Sequence, residues 1–200
     1  MQQQEKKGGI SVQTEHIFPI IKKWLYSEKE IFLRELVSNA SDANTKLARL
    51  ASLGQVHDID TDFRIDVILD REAKTLTVRD NGIGMTEEEV LRYLGQIALS
   101  GALEFIEQYE DTADGKGGAN GIIGHFGLGF YSAFMVASTV EVKTKSYTDA
   151  PAVLFTCDDA GAYTVAPCDK DTRGTDVILH VTDEEAEFLG ETPGVIIPFS

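Results

Sequence analysis

The spacing of apolar residues predicts several helices. The longest runs over roughly 29–52, with Gly54 as a plausible end. Its apolar residues recur at helical spacing and therefore share one face: Leu36, Ala40, Ala43, Leu47 and Leu50. Further helices are predicted over 12–27, over 87–98 behind a capping box of Thr86 and Glu89, over 101–110, and over 122–137 after a run of glycines.

Alternating apolar residues predict strands in the rest of the chain. The segments 63–70 and 74–80 alternate strictly and are joined by a short link, which favours a hairpin. Four more strands are predicted: 139–147, 151–157, 162–167 and 174–182. Helices followed mostly by strands indicate an α+β fold, a two-layer sandwich of helices over a mixed, mostly antiparallel sheet. Residues 1–9 suggest a loose polar tail, and 111–121 a mobile loop.

Composition narrows the possible functions. The 200 residues carry 18 Lys and Arg against 33 Asp and Glu, a net charge of −15, which opposes non-specific nucleic-acid binding. One anionic ligand stays possible if a metal ion and backbone N–H groups supply positive charge. Without an apolar signal segment or a run of eighteen apolar residues, we expect a cytoplasmic protein that does not bind or cross a membrane. Cys157 and Cys168 are expected to be free thiols, although a disulfide is possible.

The long helix carries a second, polar stripe beside its apolar face. Glu35, Asn39, Asp42 and Lys46 are spaced to lie along one line of the helix. An ordinary solvated face is the simpler interpretation. Against it, the helix interior contains many poor helix formers: Ser38, Asn39, Ser41, Asp42, Asn44 and Thr45. A sequence that gives up helix propensity here is expected to gain a function.

The segment "RDNGIGM" (79–85) is a second candidate. Asp80 ends an alternating strand, and Gly82 and Gly84 permit positive φ and a close approach of the backbone. A strand-terminating Asp-Asn-Gly turn is the alternative, and the segment alone does not decide between them.

The segment "GIIGHFGLGFYSAF" (121–134) is a third. Its glycines precede a predicted helix, so backbone N–H groups and the helix dipole could attract an anion: Gly121, Gly124, Gly127 and Gly129. A flexible loop closed by a packed helix is the alternative. The spacing matches neither a Walker A sequence nor a dinucleotide fingerprint.

The three segments together, in this order, resemble the ATP-binding fold of type II topoisomerases, mismatch-repair ATPases, sensor histidine kinases and ninety-kilodalton heat-shock chaperones, the Bergerat-type fold. The segments "YSEKEIFLRELVSNASDA", "DNGIGMT", "GHFGLGFYSAF" and "RGTDVIL" are most similar to the N-terminal nucleotide domain of the last family, in its bacterial form (high-temperature protein G). The resemblance covers roughly residues 10–190.

This resemblance implies a role for each matching residue. Glu35 would be the catalytic general base or orient the attacking water, Asn39 would coordinate Mg²⁺, and Asp80 would accept a hydrogen bond from adenine, with support from Thr175. The segment 95–123 would be a lid that closes over ATP. The residues implied to bind ATP or ADP are Asn39, Asp42, Ala43, Lys46, Asp80, Gly84, Met85, Leu94, Leu99, Ser100, Gly101, Gly124, Phe126, Gly127, Leu128, Gly129, Phe130 and Thr175.

Some positions depart from the family. Leu99 stands where a Lys is common, Tyr93 where Asn or His is common, and His125 where Gln is more usual. Residues 191–200 look unlike the family, and its middle and dimerisation domains are not in this chain. The resemblance therefore implies a fragment of a stress-response chaperone, a monomer that binds nucleotide and hydrolyses it weakly. In the full-length family protein, a homodimer, nucleotide binding drives the folding of unfolded client proteins.

Two other functions are open at this stage. A sensor histidine kinase would transfer phosphate to a histidine rather than to water, although the base-like Glu35 and the "FGLGFYSAF" block favour a chaperone. A nucleotide-free interaction module is the other, supported by Leu99 and the atypical end.

Overall fold

One long helix and a broad sheet make up most of the described chain. The computed structural model describes residues 6–9, 31–97, 129–190 and 195–199. The helical elements are α1 (Ile31–Ser52), α2 (Glu87–Val90), a π-helical continuation of α2 (Leu91–Ile97) and two 3₁₀ helices (Tyr131–Met135 and Asp183–Leu189). The strands are β1 (Lys6–Gly9), β2 (Ile65–Asp70), β3 (Thr75–Asp80), β4 (Ala137–Lys145), β5 (Val153–Asp158), β6 (Ala162–Pro167), β7 (Gly174–Val181) and β8 (Val195–Phe199).

The described strands form one eight-stranded sheet in the order β1-β6-β5-β4-β7-β3-β2-β8. Every neighbouring pair among them is antiparallel. The α+β class is thus confirmed, and the described sheet is antiparallel throughout where we expected a mixed, mostly antiparallel one. Strands β2 and β3 form the expected hairpin, with Asp70 opposite Thr75.

Helix α1 packs its apolar face onto this sheet. Phe32, Leu36, Ala40 and Leu47 are buried in α1, which confirms the apolar stripe, and Leu76, Val78, Val140 and Leu179 are buried in the strands beneath it. The helix ends at Ser52, close to the predicted end at Gly54, and Gly54 has φ +66°, a backbone conformation common just after a helix. The capping box is also confirmed, because Thr86 Oγ1 accepts from Glu89 N–H and Glu89 Oε2 accepts from Thr86 N–H.

One cross-strand row of residues positions the site. Asp80 of β3 lies opposite Thr175 of β7, and Thr175 lies opposite Thr144 of β4. Because successive residues of a strand point to opposite faces, these three share the face that α1 covers. The neighbouring row on the other face contains Arg79 opposite Asp176. Two polar rows thus lie on opposite sides of the sheet at the same end of its central strands.

Two expectations about local structure were wrong. Lys6–Gly9 form the edge strand β1 on β6 rather than part of a loose tail, because backbone pairing along a sheet edge needs no apolar side chains. Of the segment expected to be helical over 122–137, the described part, 129–137, contains the short 3₁₀ helix Tyr131–Met135, and Ala137 already pairs with Val181 in the sheet. Pairing within the sheet overrides the apolar run that suggested a longer helix.

The remaining predicted elements agree in kind. Strand bounds shift by one or two residues, and the acidic segment after β7 forms the 3₁₀ helix Asp183–Leu189. At the atypical end, Val195–Phe199 forms strand β8 on β2. The predicted helices over 12–27 and 101–110 and the loop over 111–121 lie outside the described residues. Among the described helices, none has the length and apolar character needed to cross a membrane.

Candidate functional site

A cavity of about 470 Å³ lies between α1 and the sheet. From α1 it is lined by three of the four residues of the polar stripe and by the small residue beside them: Asn39, Asp42, Ala43 and Lys46. From the rest of the chain it is lined by other residues predicted for the site: Asp80, Gly84, Met85, Leu94, Phe130 and Thr175. Residues far apart in sequence thus meet around one space, and the polar stripe forms one of its walls.

Asp80 is the buried carboxyl group of this cavity. It is 6% exposed at the end of β3, and Gly82 N–H donates to its Oδ1 over 2.9 Å. Burial raises the pKa of Asp80 from 3.8 to about 7, with Asp176 adding to the rise, while hydrogen bonds from the backbone at Gly82 and Thr175 and the charge of Lys170 oppose it. An ionised oxygen held here lacks much of its hydration and therefore favours a ligand that donates a hydrogen bond.

The loop after Asp80 is clamped between α1 and the end of β4. Ile83 N–H donates to the carbonyl of Ala43 over 3.2 Å, and Tyr147 N–H donates to the carbonyl of Ile83 over 2.9 Å. Gly84 has φ +62°, and a Cβ there would lie 1.8 Å from the carbonyl oxygen of Lys145. These contacts explain the glycine as a close backbone approach, which a simple turn would not require.

A buried hydroxyl group joins this loop to the sheet. Thr144 is fully buried, and its Oγ1 accepts from Met85 N–H over 3.0 Å. The same oxygen lies 2.9 Å from Thr175 Oγ1 and 3.3 Å from the carbonyl oxygen of Gly174. Sequence analysis missed Thr144. The pattern that could have identified it is a polar residue on the inward-facing side of β4, where the two preceding inward-facing residues, Val140 and Val142, are apolar.

A second group of predicted residues meets at the N-terminal half of α1. A Cβ built on Gly129 would lie 3.3 Å from Asn39 Nδ2 and 3.3 Å from Glu35 Oε2. The backbone just before the 3₁₀ helix therefore lies close to both side chains, and a larger residue than glycine would crowd them. Glu35 itself is half-buried and is not among the residues that line the cavity. Its catalytic role stays a prediction.

These side chains suit magnesium in their chemistry. An amide oxygen from Asn39 and a carboxylate from Glu35 are hard oxygen donors, and Mg²⁺ in proteins usually takes few such ligands and completes its shell with substrate phosphates and water. Within the described residues, no three or more His, Cys, Asp or Glu side chains cluster as a metal cage. The residues present therefore fit a metal bound together with its substrate.

An exposed aromatic side chain, that of Tyr93, also lines the cavity. Tyr93 is 46% exposed, and the Arg92 guanidinium carbon lies 5.6 Å from its ring centre. Arg92 and Tyr93 both lie in the π-helical segment Leu91–Ile97, whose wider turns change the usual backbone hydrogen-bond pattern of a helix. The carbonyl of Leu94 in this segment accepts a hydrogen bond from the Tyr131 hydroxyl over 3.2 Å. Such wide turns often occur at functional sites.

Some cavity residues were not predicted, and some predicted residues cannot be placed. The unpredicted lining residues are mostly apolar and carry only a general core signal: Leu36, Ala40, Val78, Ile83, Glu89, Val142 and Val177. Outside the described residues lie most of the predicted lid and the remaining predicted contacts, together with His125: Leu99, Ser100, Gly101, Gly124, Phe126, Gly127 and Leu128.

Neither Cys157 nor Cys168 is among the residues that line this cavity. Both thiols are free, as expected, with Cys157 buried and Cys168 partly buried. Burial is the main reason that the pKa of Cys157 is raised to about 12, which makes it a poor nucleophile at neutral pH.

Comparison with known proteins gives a consistent result. Residues 26–175 match the family model described as "Histidine kinase-, DNA gyrase B-, and HSP90-like ATPase". The chain is 53% identical over 185 residues to a chaperone protein HtpG of Porphyromonas gingivalis, covering 92% of this chain and 26% of that protein. It is 54% identical over 187 residues to the chaperone protein HtpG of Bacteroides thetaiotaomicron, covering 93% of this chain and 26% of that protein. It is 44% identical over 189 residues to the chaperone protein HtpG of Pseudoalteromonas translucida, covering 94% of this chain and 29% of that protein. The chain thus spans about a quarter of the length of these relatives.

Proposed function

Since this chain belongs to the histidine kinase-, DNA gyrase B- and HSP90-like ATPase family, we propose that its cavity binds ATP and ADP, with adenine against Asp80. The observation that carries this proposal is the buried carboxyl group at the base of a cavity otherwise rich in apolar surface. Adenine offers an amino group that donates to such an oxygen. Guanine offers a carbonyl at the same place, which would leave the carboxylate without a donor at a cost of roughly 1–3 kcal/mol.

The phosphates then lie toward the group formed by Glu35, Asn39 and Gly129. Asn39 is the residue that would hold Mg²⁺ there, and the ion would supply positive charge that offsets the phosphates. The Glu35 carboxylate accepts a proton from the attacking water or orients that water. Gly129 has no side chain between Asn39 and Glu35, which lets the backbone approach both.

At the level of the whole protein, we propose a chaperone in which this domain binds nucleotide while other domains contact unfolded clients and form the homodimer. The proposal is supported by the relatives, which are named as chaperones, and by the chain matching only about a quarter of their length. By itself this domain would be a monomer that hydrolyses ATP weakly, with residues 95–123 as a lid. Its expected compartment is the cytoplasm.

Calorimetric titration of the protein with ADP and Mg²⁺, beside GDP, tests the site. ADP is expected to bind and GDP to bind far more weakly, and Asp80→Asn is expected to abolish ADP binding. Asp149→Asn is a matched control, because Asp149 is exposed and lies away from the cavity residues. Equal affinity of the wild type and Asp80→Asn for ADP would overturn the assignment of the base.

Hydrolysis is tested separately. Glu35→Gln is expected to keep ADP affinity while losing the phosphate release seen with the wild type, because the amide cannot take a proton. Loss of binding together with activity would mean that Glu35 has a structural role. Transfer of labelled phosphate to a histidine-containing protein would instead favour kinase chemistry.

A further inference from the structure

Two buried hydroxyl groups, on β4 and β7, lie in the same cross-strand row as the carboxyl group assigned to adenine. Thr144 and Thr175 are register partners, and Thr175 is also the register partner of Asp80. Thr175 lines the cavity together with Asp80, whereas Thr144 is fully buried and is not among the lining residues. Thr144 can therefore act on a bound nucleotide only through its neighbours, among them Thr175.

The hydrogen bonds around Thr144 Oγ1 define the direction of its single proton. Met85 N–H is a donor and lies 3.0 Å away, so Thr144 Oγ1 accepts from it. The carbonyl oxygen of Gly174, 3.3 Å away, can only accept, so the Thr144 hydroxyl donates to it. The third neighbour is Thr175 Oγ1 at 2.9 Å, where either oxygen can be the donor. Because Thr144 has one proton and Gly174 takes it, all three bonds form only if the Thr175 hydroxyl donates to Thr144.

This arrangement uses the proton of Thr175 and leaves its oxygen as an acceptor. A hydroxyl group has one donor and two acceptor positions, so lone pairs of Thr175 Oγ1 stay available to the cavity. In the opposite arrangement, Thr144 would donate to Thr175 and no longer to the Gly174 carbonyl. The Thr175 proton would then have no acceptor among the described residues. Since an unpaired buried donor is costly, the first arrangement is favoured.

We propose that Thr144 is a positioning residue for base specificity: by accepting the Thr175 proton, it makes Thr175 and Asp80 two neighbouring acceptors that select a base with an amino group. The inference rests on the proposed function and deepens it, because it concerns how the site distinguishes adenine from other bases. An amino group has two hydrogens and suits two acceptors. A base with a carbonyl at the same place offers neither of them a hydrogen.

The surroundings of Asp80 agree with its role as an acceptor. Gly82 N–H donates to its Oδ1 over 2.9 Å, and the backbone N–H of Thr175 also donates to its carboxylate. Both bonds favour the ionised form of Asp80, although burial raises its pKa to about 7. Measurements at about pH 8 therefore examine a site in which this carboxyl group is mostly ionised.

The test compares ADP with inosine diphosphate (IDP), which has a carbonyl at position 6 of the purine ring where ADP has its amino group. Calorimetric titration with ADP, and competition of IDP against ADP, give the ratio of the two dissociation constants. In Thr144→Val, the released Thr175 proton turns to Asp80 or to the ligand, and either result disfavours an amino group. The preference for ADP is expected to fall about fivefold, as for the loss of one net hydrogen bond. Thr144→Ser keeps the hydroxyl and should keep the wild-type ratio.

A purely structural role of Thr144 gives a different result. If Thr144 only holds the loop at Met85, Thr144→Val weakens ADP and IDP equally, and the unchanged ratio would overturn the inference. In Thr175→Val there is no hydroxyl group left to redirect, so adding Thr144→Val should not change the ratio any further. A further fall in the double variant would also overturn the inference.

Thr175→Val alone answers the question should Thr144→Val fail to fold. Loss of an acceptor weakens ADP more than IDP, so the preference for ADP is expected to fall in this variant. A preference that rises, as after loss of a donor, or that stays unchanged would contradict the assigned direction of the proton. If the wild type does not bind ADP, or Asp80→Asn binds it equally well, the proposed function itself fails.

Discussion

Replacement of Thr144 by Val removes the hydroxyl group that ties the loop after Asp80 to the sheet. Val has nearly the shape of Thr, so little space is opened, but Met85 N–H loses its acceptor and Thr175 Oγ1 loses a partner. An unpaired buried polar group costs roughly 1–3 kcal/mol, and we expect a loss of about 2 kcal/mol in the free energy of unfolding. In a chain of this size that corresponds to a fall of about 4–8 °C in Tm.

The matched variant is Thr144→Ser, which keeps the hydroxyl and loses one buried methyl group, for about 1 kcal/mol. Urea unfolding without ligand, followed by titration with ADP, measures both effects. Thr144→Val should be the less stable variant and should also bind ADP more weakly, because Met85 and Thr175 both line the cavity. If Thr144→Val proves as stable as Thr144→Ser or more so, the hydroxyl does not hold the loop.

Three further predictions follow from the same geometry. Gly84→Ala should lower the free energy of unfolding by more than about 3 kcal/mol in urea, because the new Cβ would overlap the carbonyl of Lys145. Gly54→Ala, at a similar φ but with open space around it, should cost only about 1 kcal/mol. Equal losses in the two variants would contradict the overlap. Tyr93 lines the cavity, and an aromatic ring can pack on a ligand without its hydroxyl. Tyr93→Ala should therefore weaken ADP binding several-fold by calorimetry while Tyr93→Phe does not, and unchanged affinity in Tyr93→Ala would rule out the contact. The pKa of Asp80 is raised from 3.8 to about 7 in the folded protein, so ionisation of this group disfavours the folded state. The free energy of unfolding of the wild type, relative to that of Asp80→Asn, should therefore fall by on the order of 4 kcal/mol between pH 4 and pH 7 and then level off. Absence of this fall in urea unfolding would refute the raised pKa.

Much of the fold follows from local patterns. The apolar face of α1, the β2–β3 hairpin and the capping box at Thr86 depend on residues close in sequence, and all three are present in the structure. The 3₁₀ helix Tyr131–Met135 was predicted as a longer helix because its apolar run gives no information about pairing with a distant strand. Strand β1 was missed for the same reason, since its partner is more than 150 residues away.

In the candidate site, too, some residues could be identified from local sequence and others only from the folded structure. The polar stripe of α1 and the Asp80 segment could be singled out by their unusual local composition, and the family resemblance connected them. Thr144 has no local signature of that kind. Thr144 matters because three groups from two separate segments, Met85 in the loop and Gly174 and Thr175 in β7, converge on its hydroxyl. Such roles follow from register and burial, which only the folded chain defines.

The clamped loop between α1 and β4 also bears on the order in which ligands leave. Ile83 and its neighbours are fixed to Ala43 on one side and Tyr147 on the other, so the base end of the cavity is its rigid end. A nucleotide bound as proposed would enter base first and keep its phosphates toward the opening. After hydrolysis, the cleaved phosphate could depart while the base still holds its place. The diphosphate would then be the slower product to dissociate, and turnover would be sensitive to its accumulation.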